Sequence, residues 1–288
     1  MKISRVRFGT CSWKYDSWIG LVYSGKSKSD YLGEYSQKFN TVEIDQWFWS
    51  LHGLNKISLP APKDVKLYSE AVPDDFKFTI KVPNSVTLTH FYSKQKNEPL
   101  VVNPHFLSTE LFNEFLKSIE PMKEKIGVLM FQFEYLNKQK MSSQKEFQER
   151  IFSFIKKLPA DYKYGIEIRN PNYLNKSFFS FIKECGLTNV FLEGYYMPPV
   201  KKVFDEFKDY IENTCVIRLH GPDRKGIEEA SGNKWNRIII DRTKEIQIIA
   251  EIVKELASKK VDTFINVNNH FEGSAPLTID KLKNFVNQ

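Results

Sequence analysis

The chain has 288 residues, 41 % of them aliphatic or aromatic and 27 % charged. These are globular proportions, and they exclude a disordered chain, a collagen-like repeat and a disulfide-knit miniprotein. Lys plus Arg outnumber Asp plus Glu by 42 to 35, a net charge of +7, which draws anions of any size, nucleic acid included. Most of that excess is lysine scattered along predicted helices, a pattern that serves solubility as readily as docking.

Three cysteines, Cys11, Cys185 and Cys215, stand at unrelated spacings. This argues against a secreted disulfide framework or a zinc ribbon and for a reducing compartment. The opening run Met1–Arg7 is basic without an apolar stretch behind it, so no export signal is expected. The longest aliphatic run, Ile126–Phe131, is too short to cross a bilayer. The expectation is a cytoplasmic protein with no membrane partner.

In chain order, eight short runs rich in β-branched and aromatic residues read as strands: Val6–Cys11, Thr41–Asp45, Phe76–Val82, Gly127–Phe133, Tyr164–Arg169, Asn189–Leu192, Val216–His220 and Thr263–Asn268. Segments of helical period lie between most of them. Tyr31, Leu32, Tyr35 and Phe39 share one face, as do Leu111, Phe112, Phe115 and Leu116. Phe147, Ile151, Phe154, Ile155 and Leu158 form another, Ile246 to Leu256 a fourth, and Leu277 to Val286 closes the chain. Eight strand-then-helix units without a break in composition predict an α/β fold, a single (β/α)8 TIM barrel over residues 1–288. A doubly wound sheet is the alternative, weakened because no Gly-rich dinucleotide fingerprint follows the first strand. Long connections are expected after strands one, three and seven. The first carries Trp13, Tyr15, Trp18 and Tyr23; the second His90, Tyr92, Lys94, Lys96 and His105; the third Asp223, Arg224 and Trp235.

Alternation within the strands is more informative. Val42 and Ile44 place Glu43 and Asp45 on the other face; Ile80 and Val82 do so for Thr79 and Lys81; Ile166 and Ile168 for Glu167 and Arg169. Ile217 and Leu219 oppose Arg218 and His220, and Ile265 and Val267 oppose Asn266 and Asn268, while Gln132 ends strand four. The polar members gather toward the C-terminal strand ends, where barrel enzymes assemble their sites. Burying such charges costs several kcal/mol each unless they are paired or used. The bland reading is internal pairing, Glu167 with Arg169 or Glu43 with Arg218, that merely plugs the barrel. The functional reading is a polar pocket at the mouth.

Several motifs carry a resemblance. Gly9-Thr10-Cys11-Ser12-Trp13, Tyr23 and Phe39-Asn40-Thr41-Val42-Glu43-Ile44 resemble the opening of the YecE-like family, a domain of unknown function numbered 72. Phe78–Pro83, Leu129–Phe133, Glu167–Pro171, Ile217–Gly221 and Asn268-Asn269-His270 follow in register. The resemblance implies a TIM barrel and no established reaction. The chain departs from the family pattern at Asp45-Gln46-Trp47-Phe48, where Asn-Ser-Thr-Phe-Tyr is usual, and at Asn170, where His is common.

Three chemistries are weighed. Zinc hydrolysis calls for more His and Cys than His220 and His270 supply, since His52, His90 and His105 fall in predicted loops or linkers. A single Mg²⁺ or Mn²⁺ on Glu43, Asp45 or Glu193 is the only cofactor the carboxylates invite, and none is firmly implied. Glycoside hydrolysis would use Glu43 and Glu167 as its carboxylate pair. The inventory fits a small anionic or phosphorylated ligand best, a phosphosugar or a nucleic-acid phosphodiester. Lys81, Arg169, Arg218, Gln132 and Asn268 would bind it beside Trp13, with Glu43, Glu167 and His220 as acid–base groups. The alternative is a non-catalytic nucleic-acid binder with Trp13, Tyr15, Tyr92 and Trp235 as stacking platforms.

Overall fold

The computed structural model describes residues 5–25, 27–54, 56–92 and 99–288; Lys94 and Lys96 lie outside them. Eight parallel strands form one sheet that curls into a nearly closed barrel, in the order β1 (Val6–Thr10), β10 (Asp262–Val267), β9 (Thr214–Gly221), β8 (Thr188–Gly194), β7 (Tyr164–Glu167), β6 (Ile126–Gln132), β5 (Lys77–Lys81) and β2 (Thr41–Ile44). All eight expected strands form, because each run of β-branched and aromatic residues buries its outward face under helices. A short hairpin, β3 (Leu51–Gly53) with β4 (Lys56–Ile57), interrupts the connection after β2 and was not anticipated from the sequence.

The flanking helices are α1 (Tyr31–Lys38), α2 (Pro62–Glu70), the single turn α3 (Asn84–Thr87), α4 (Thr109–Ile119), α5 (Gln144–Ile155), α6 (Lys176–Glu184), α7 (Val200–Phe207), α8 (Arg224–Ser231), α9 (Thr243–Ser258) and α10 (Ala275–Asn287). Side-chain oxygens cap several where orphan N–H groups need acceptors: Ser108 on Leu111 N, Ser143 on Glu146 N and Asn175 on Phe178 N. The three long connections fall after β1, β5 and β9 as expected.

The barrel interior is layered. Val128, Met130, Val216 and Phe264 form an apolar cluster separate from the larger core between sheet and helices, with Val190 against it. Above it toward the C-terminal strand ends come Glu43, Thr79, Glu167, Arg218 and Asn266, all buried. Apolar floor and polar ceiling follow from the same alternation.

Closure falls between β1 and β2, and it is made differently from the other seams. Cys11 bridges Glu43, and Ser12 N donates to Glu43 O at 3.1 Å. Below that point the Tyr35 hydroxyl of α1 inserts between the strands, accepting from Thr10 N at 2.8 Å and donating to Thr41 O at 3.0 Å. One phenol thus satisfies a donor and an acceptor that a ladder would have paired. The strands approach so closely that a Cβ on Gly9 would lie 1.9 Å from Thr41 O, which is why glycine stands there. Tyr35→Phe should therefore lose about 1–3 kcal/mol in urea unfolding, since it strands two buried backbone groups. Gly9→Ala should cost more, by forcing the seam apart.

Candidate functional site

A guanidinium sits at the centre of the polar layer. Arg218 on β9 is 1 % exposed and spans the barrel. Its Nε and Nη2 reach the two oxygens of Glu43 on β2 at 2.8 and 2.6 Å, a bidentate pair. Its Nη1 donates to Glu167 Oε2 on β7 and, at 3.2 Å, to Gln132 Oε1 on β6. Asn266 of β10 donates to Glu43 Oε2 at 3.2 Å and to Thr79 Oγ1 at 2.9 Å. Six strands are thereby tied through one network.

The rim differs in character. Arg169, just past β7, gives only its Nε to Glu167 Oε1, at 3.0 Å, and holds its Cζ over the Tyr195 ring, 4.9 Å from the centroid. Among the described residues its Nη groups make no ion pair or hydrogen bond. Lys81 ends β5 with its Nζ 3.9 Å above the Phe48 ring centroid, and no carboxylate among the described residues pairs with it. His220 faces the Cys11 thiol through Nε2 at 3.7 Å and the Tyr195 hydroxyl through Nδ1 at 3.2 Å. Tyr195 reaches it from a left-handed backbone, φ 54°, directly after Gly194, where a Cβ would stand 2.3 Å from Gly221 O.

The electrostatics separate these groups by role. Burial alone would raise Glu167, but Arg218, Arg169 and Lys81 outweigh it and hold the carboxyl at about 2. Such an acid stays ionised and is a poor proton acceptor near neutrality. Burial and three neighbouring cations, Arg218 first, push His220 well below its usual range, so the imidazole is neutral. Burial and then Glu43 raise the Cys11 thiol, so the Cys11–His220 contact is not an activated dyad. Burial, with Arg218 adding to it, lowers Lys81 to about 8, the closest of these groups to physiological pH. Asp45, the residue after β2, is raised by burial and by Glu43.

Of the expected site residues, Glu43, Lys81, Gln132, Glu167, Arg169, Arg218 and His220 come together around the mouth. Trp13 turns away, edge-on to Tyr68 at 4.9 Å, and lines a separate cavity of about 610 Å³ between the β1 loop, α2 and Trp235. The Asn268 side chain accepts from His270 N at 2.9 Å and so closes its own turn. Glu193 caps α7 by accepting from Val200 N at 2.8 Å. With that carboxylate committed and both Glu43 oxygens on Arg218, the donor set does not suit a divalent cation. Among the described residues no group of three or more His, Cys, Asp or Glu side chains is arranged to hold a metal. No described helix is long and apolar enough to cross a membrane.

The model of a family described as "Protein of unknown function DUF72" matches residues 7–288. The chain belongs to the DUF72 family. Two curated relatives, the UPF0759 protein YecE of Escherichia coli K12 and of strain O157:H7, are each 25 % identical over 171 residues, 59 % of this chain and 51 % of theirs. The chain thus spans about half the length of the curated relatives it matches. A DUF72 protein from Enterococcus faecalis V583 superposes with a TM-score of 0.67 at 21 % identity, covering 98 % of this chain and 96 % of its own. One from Thermotoga maritima MSB8 gives 0.66 at 21 %, covering 98 % and 99 %. At that identity they speak for the barrel alone.

Sequence reading passed over four members of this DUF72 site. Asn266 and Thr79 lie on the inward face that alternation had marked. Cys11 was readable from the same rule. Tyr195 had no signal, since a loop residue has no period. Asn170, standing where the family commonly has His, is structural here: it accepts from Leu136 N and donates to Leu136 O, both at 2.8 Å, and pins the loop after β6.

Removing Arg218 strands the buried Glu43 carboxylate and leaves Glu167 on Arg169 alone, so Arg218→Met should cost about 3–5 kcal/mol at pH 7. The pH dependence should also invert. In the wild type the depressed Glu167 contributes stability above its unfolded value near 4.5 and loses it as pH falls toward 2. In the variant the unpaired Glu43 carboxylate takes up a proton on folding, so stability should rise as pH falls from 7 to 5. Urea titrations at the two pH values check this.

Proposed function

We propose that the barrel mouth is the active site of an enzyme that binds a small anionic substrate, carrying a phosphate or carboxylate, and transforms it by acid–base chemistry. The reading rests on one observation: Glu43 and Glu167 are occupied by Arg218, whereas Arg169 shares Glu167 through its Nε alone and keeps its Nη groups unengaged, and Lys81 has no carboxylate paired with it among the described residues. A planar guanidinium with its Nη groups unengaged and its Cζ held over the Tyr195 ring is pre-organised to take two oxygens of an anion. Arg218 then serves as the counter-ion that keeps Glu43 and Glu167 in place rather than as a hand for substrate. Glu43 and Glu167 shape the field. Proton transfer falls to Lys81, whose pKa is lowered to about 8, while neutral His220 offers its ring nitrogens as hydrogen-bond partners.

Surface binding of nucleic acid is the weaker reading. Of the four rings offered as stacking platforms, Trp13 and Trp235 are buried and Tyr15 is half-buried, leaving Tyr92 exposed.

A thermal-shift panel of sugar phosphates, small carboxylates and oligonucleotides tests the proposal. An anion at a hundred times its Kd should stabilise the fold by about 2.7 kcal/mol. Arg169→Ala should weaken it about 10- to 100-fold, the loss of a charge-assisted pair. Affinity should fall as pH rises through about 8, where Lys81 loses its charge, and Lys81→Met should abolish that pH dependence. A shift confined to oligonucleotides that collapses with salt overturns the reading.

A further inference from the structure

We propose that Lys81 is an imine-forming lysine, and that the substrate of this site is a carbonyl compound, an aldehyde or ketone, whose carbon is attacked by the Lys81 amine. The proposal deepens the anion-site reading and rests on it for where the ligand lies.

The placement carries the argument. Lys81 ends β5 at the C-terminal rim and points inward, two residues after Thr79, which bonds Asn266 across the interior. A lysine enclosed at a strand end ordinarily has a carboxylate on it. Here the Nζ rests on the Phe48 ring instead, with both nearby glutamates taken by Arg218. The turn after β2 builds this seat: Phe48 N donates to Asp45 O at 3.1 Å and brings the ring under the amine. The same turn supplies the acid. Ile44 pairs with Ile80, so Asp45 and Lys81, each one residue further, stand at one level on neighbouring strands. The charged groups acting on Lys81 are Arg218 from β9, Glu43 and Asp45 from β2 and its turn, and Glu167 from β7. Their balance leaves a substantial fraction of neutral amine at physiological pH.

The chemistry balances without an oxidant or reductant. The Asp45 carboxylate takes one proton from the Lys81 ammonium, the freed Nζ adds its lone pair to the carbonyl carbon, and the oxygen takes up the proton held on Asp45. The carboxylate recovers one N–H proton and returns it to the departing hydroxyl. The C–O bond breaks, water leaves, and the remaining N–H stays on a protonated C=N beside the Asp45 carboxylate. Arg169 lies at the same rim to hold an anionic group of the carbonyl compound.

The experiment is reductive trapping on the full chain at pH 7, with glyoxylate and, separately, propanal as probes and borohydride as reductant, followed by peptide mapping of every lysine. Relative to an ordinary lysine of 10.5, Lys81 near 8 carries about 300 times more free amine at that pH, offset in part by its lower intrinsic reactivity. Labelling at Lys81 is therefore expected at least about ten-fold above the mean of the other lysines. Lys81→Arg, which keeps the cation and the fold, should remove that excess, and Asp45→Asn should slow the adduct without moving it. Even labelling over all lysines, or none at Lys81 with either probe, overturns the proposal even if anions bind. Selective labelling by propanal, with glyoxylate no better and indifferent to Arg169→Ala, keeps the imine chemistry and discards the anion-site reading.

Discussion

Everything at the top of this barrel is arranged around a guanidinium with almost no access to water. Arg218 cannot shed its proton, and in a low-dielectric interior it cannot stand alone. Two carboxylates from strands on other sides of the barrel therefore converge on it, and Gln132 and Asn266 satisfy lone pairs and donors left over. The cluster is no cheap source of stability, because desolvating three ions costs about as much as their attraction returns. An apolar plug like the layer beneath would hold the strands as well. What the ions supply is a fixed field at the opening: a carboxylate that stays charged, an imidazole that stays neutral and a lysine drawn toward neutral pH.

That field needs a rigid frame, and the frame is made by small polar clamps. Asn84 accepts from Ser50 N and Leu51 N and fixes the turn after β2 that carries Asp45 and Phe48. Asn103 donates to Ser85 O and Leu88 O, closing the connection after β5. Asn170 does the same after β6. Near α10, Glu272 is fully buried yet receives Arg242 N, Thr278 Oγ1 and Lys281 Nζ. Each clamp uses the two-sided hydrogen bonding of a carboxamide or carboxylate to hold irregular backbone that no ladder supports. The loops around the site are thus built in, which is what a site held to ångström tolerance requires.

The division of labour inside the charged cluster could not have been assigned by type. Glutamates at strand ends read as bases, and arginines as hands for an anion. The structure turns Glu43 and Arg218 into partners of one another and leaves the lysine and the outer arginine facing the opening. The bland reading of internal pairs describes Glu43, Glu167 and Arg218, while Lys81 and the Nη groups of Arg169 stand outside those pairs.

Alternation of apolar and polar residues was enough to place the eight strands, their inward faces and the end of the barrel where the polar groups gather, because burial of one strand face is a local constraint that repeats every two residues. The long loops after β1, β5 and β9 were legible for a similar reason: no periodic segment claims them. The pairs Glu43 with Arg218 and Glu167 with Arg169 were legible from strand face and strand end, but that Arg218 also takes Glu167 was not, since the three are brought together from positions far apart in the chain by the curvature of a closed sheet. The same holds for Tyr35 in the seam, which reads as an ordinary core residue of a helix. Trp13 and Asn268 went the other way, their side chains taken by the nearest partner a turn offered. Period reveals which face a residue occupies; only closure of the sheet sets what stands across from it.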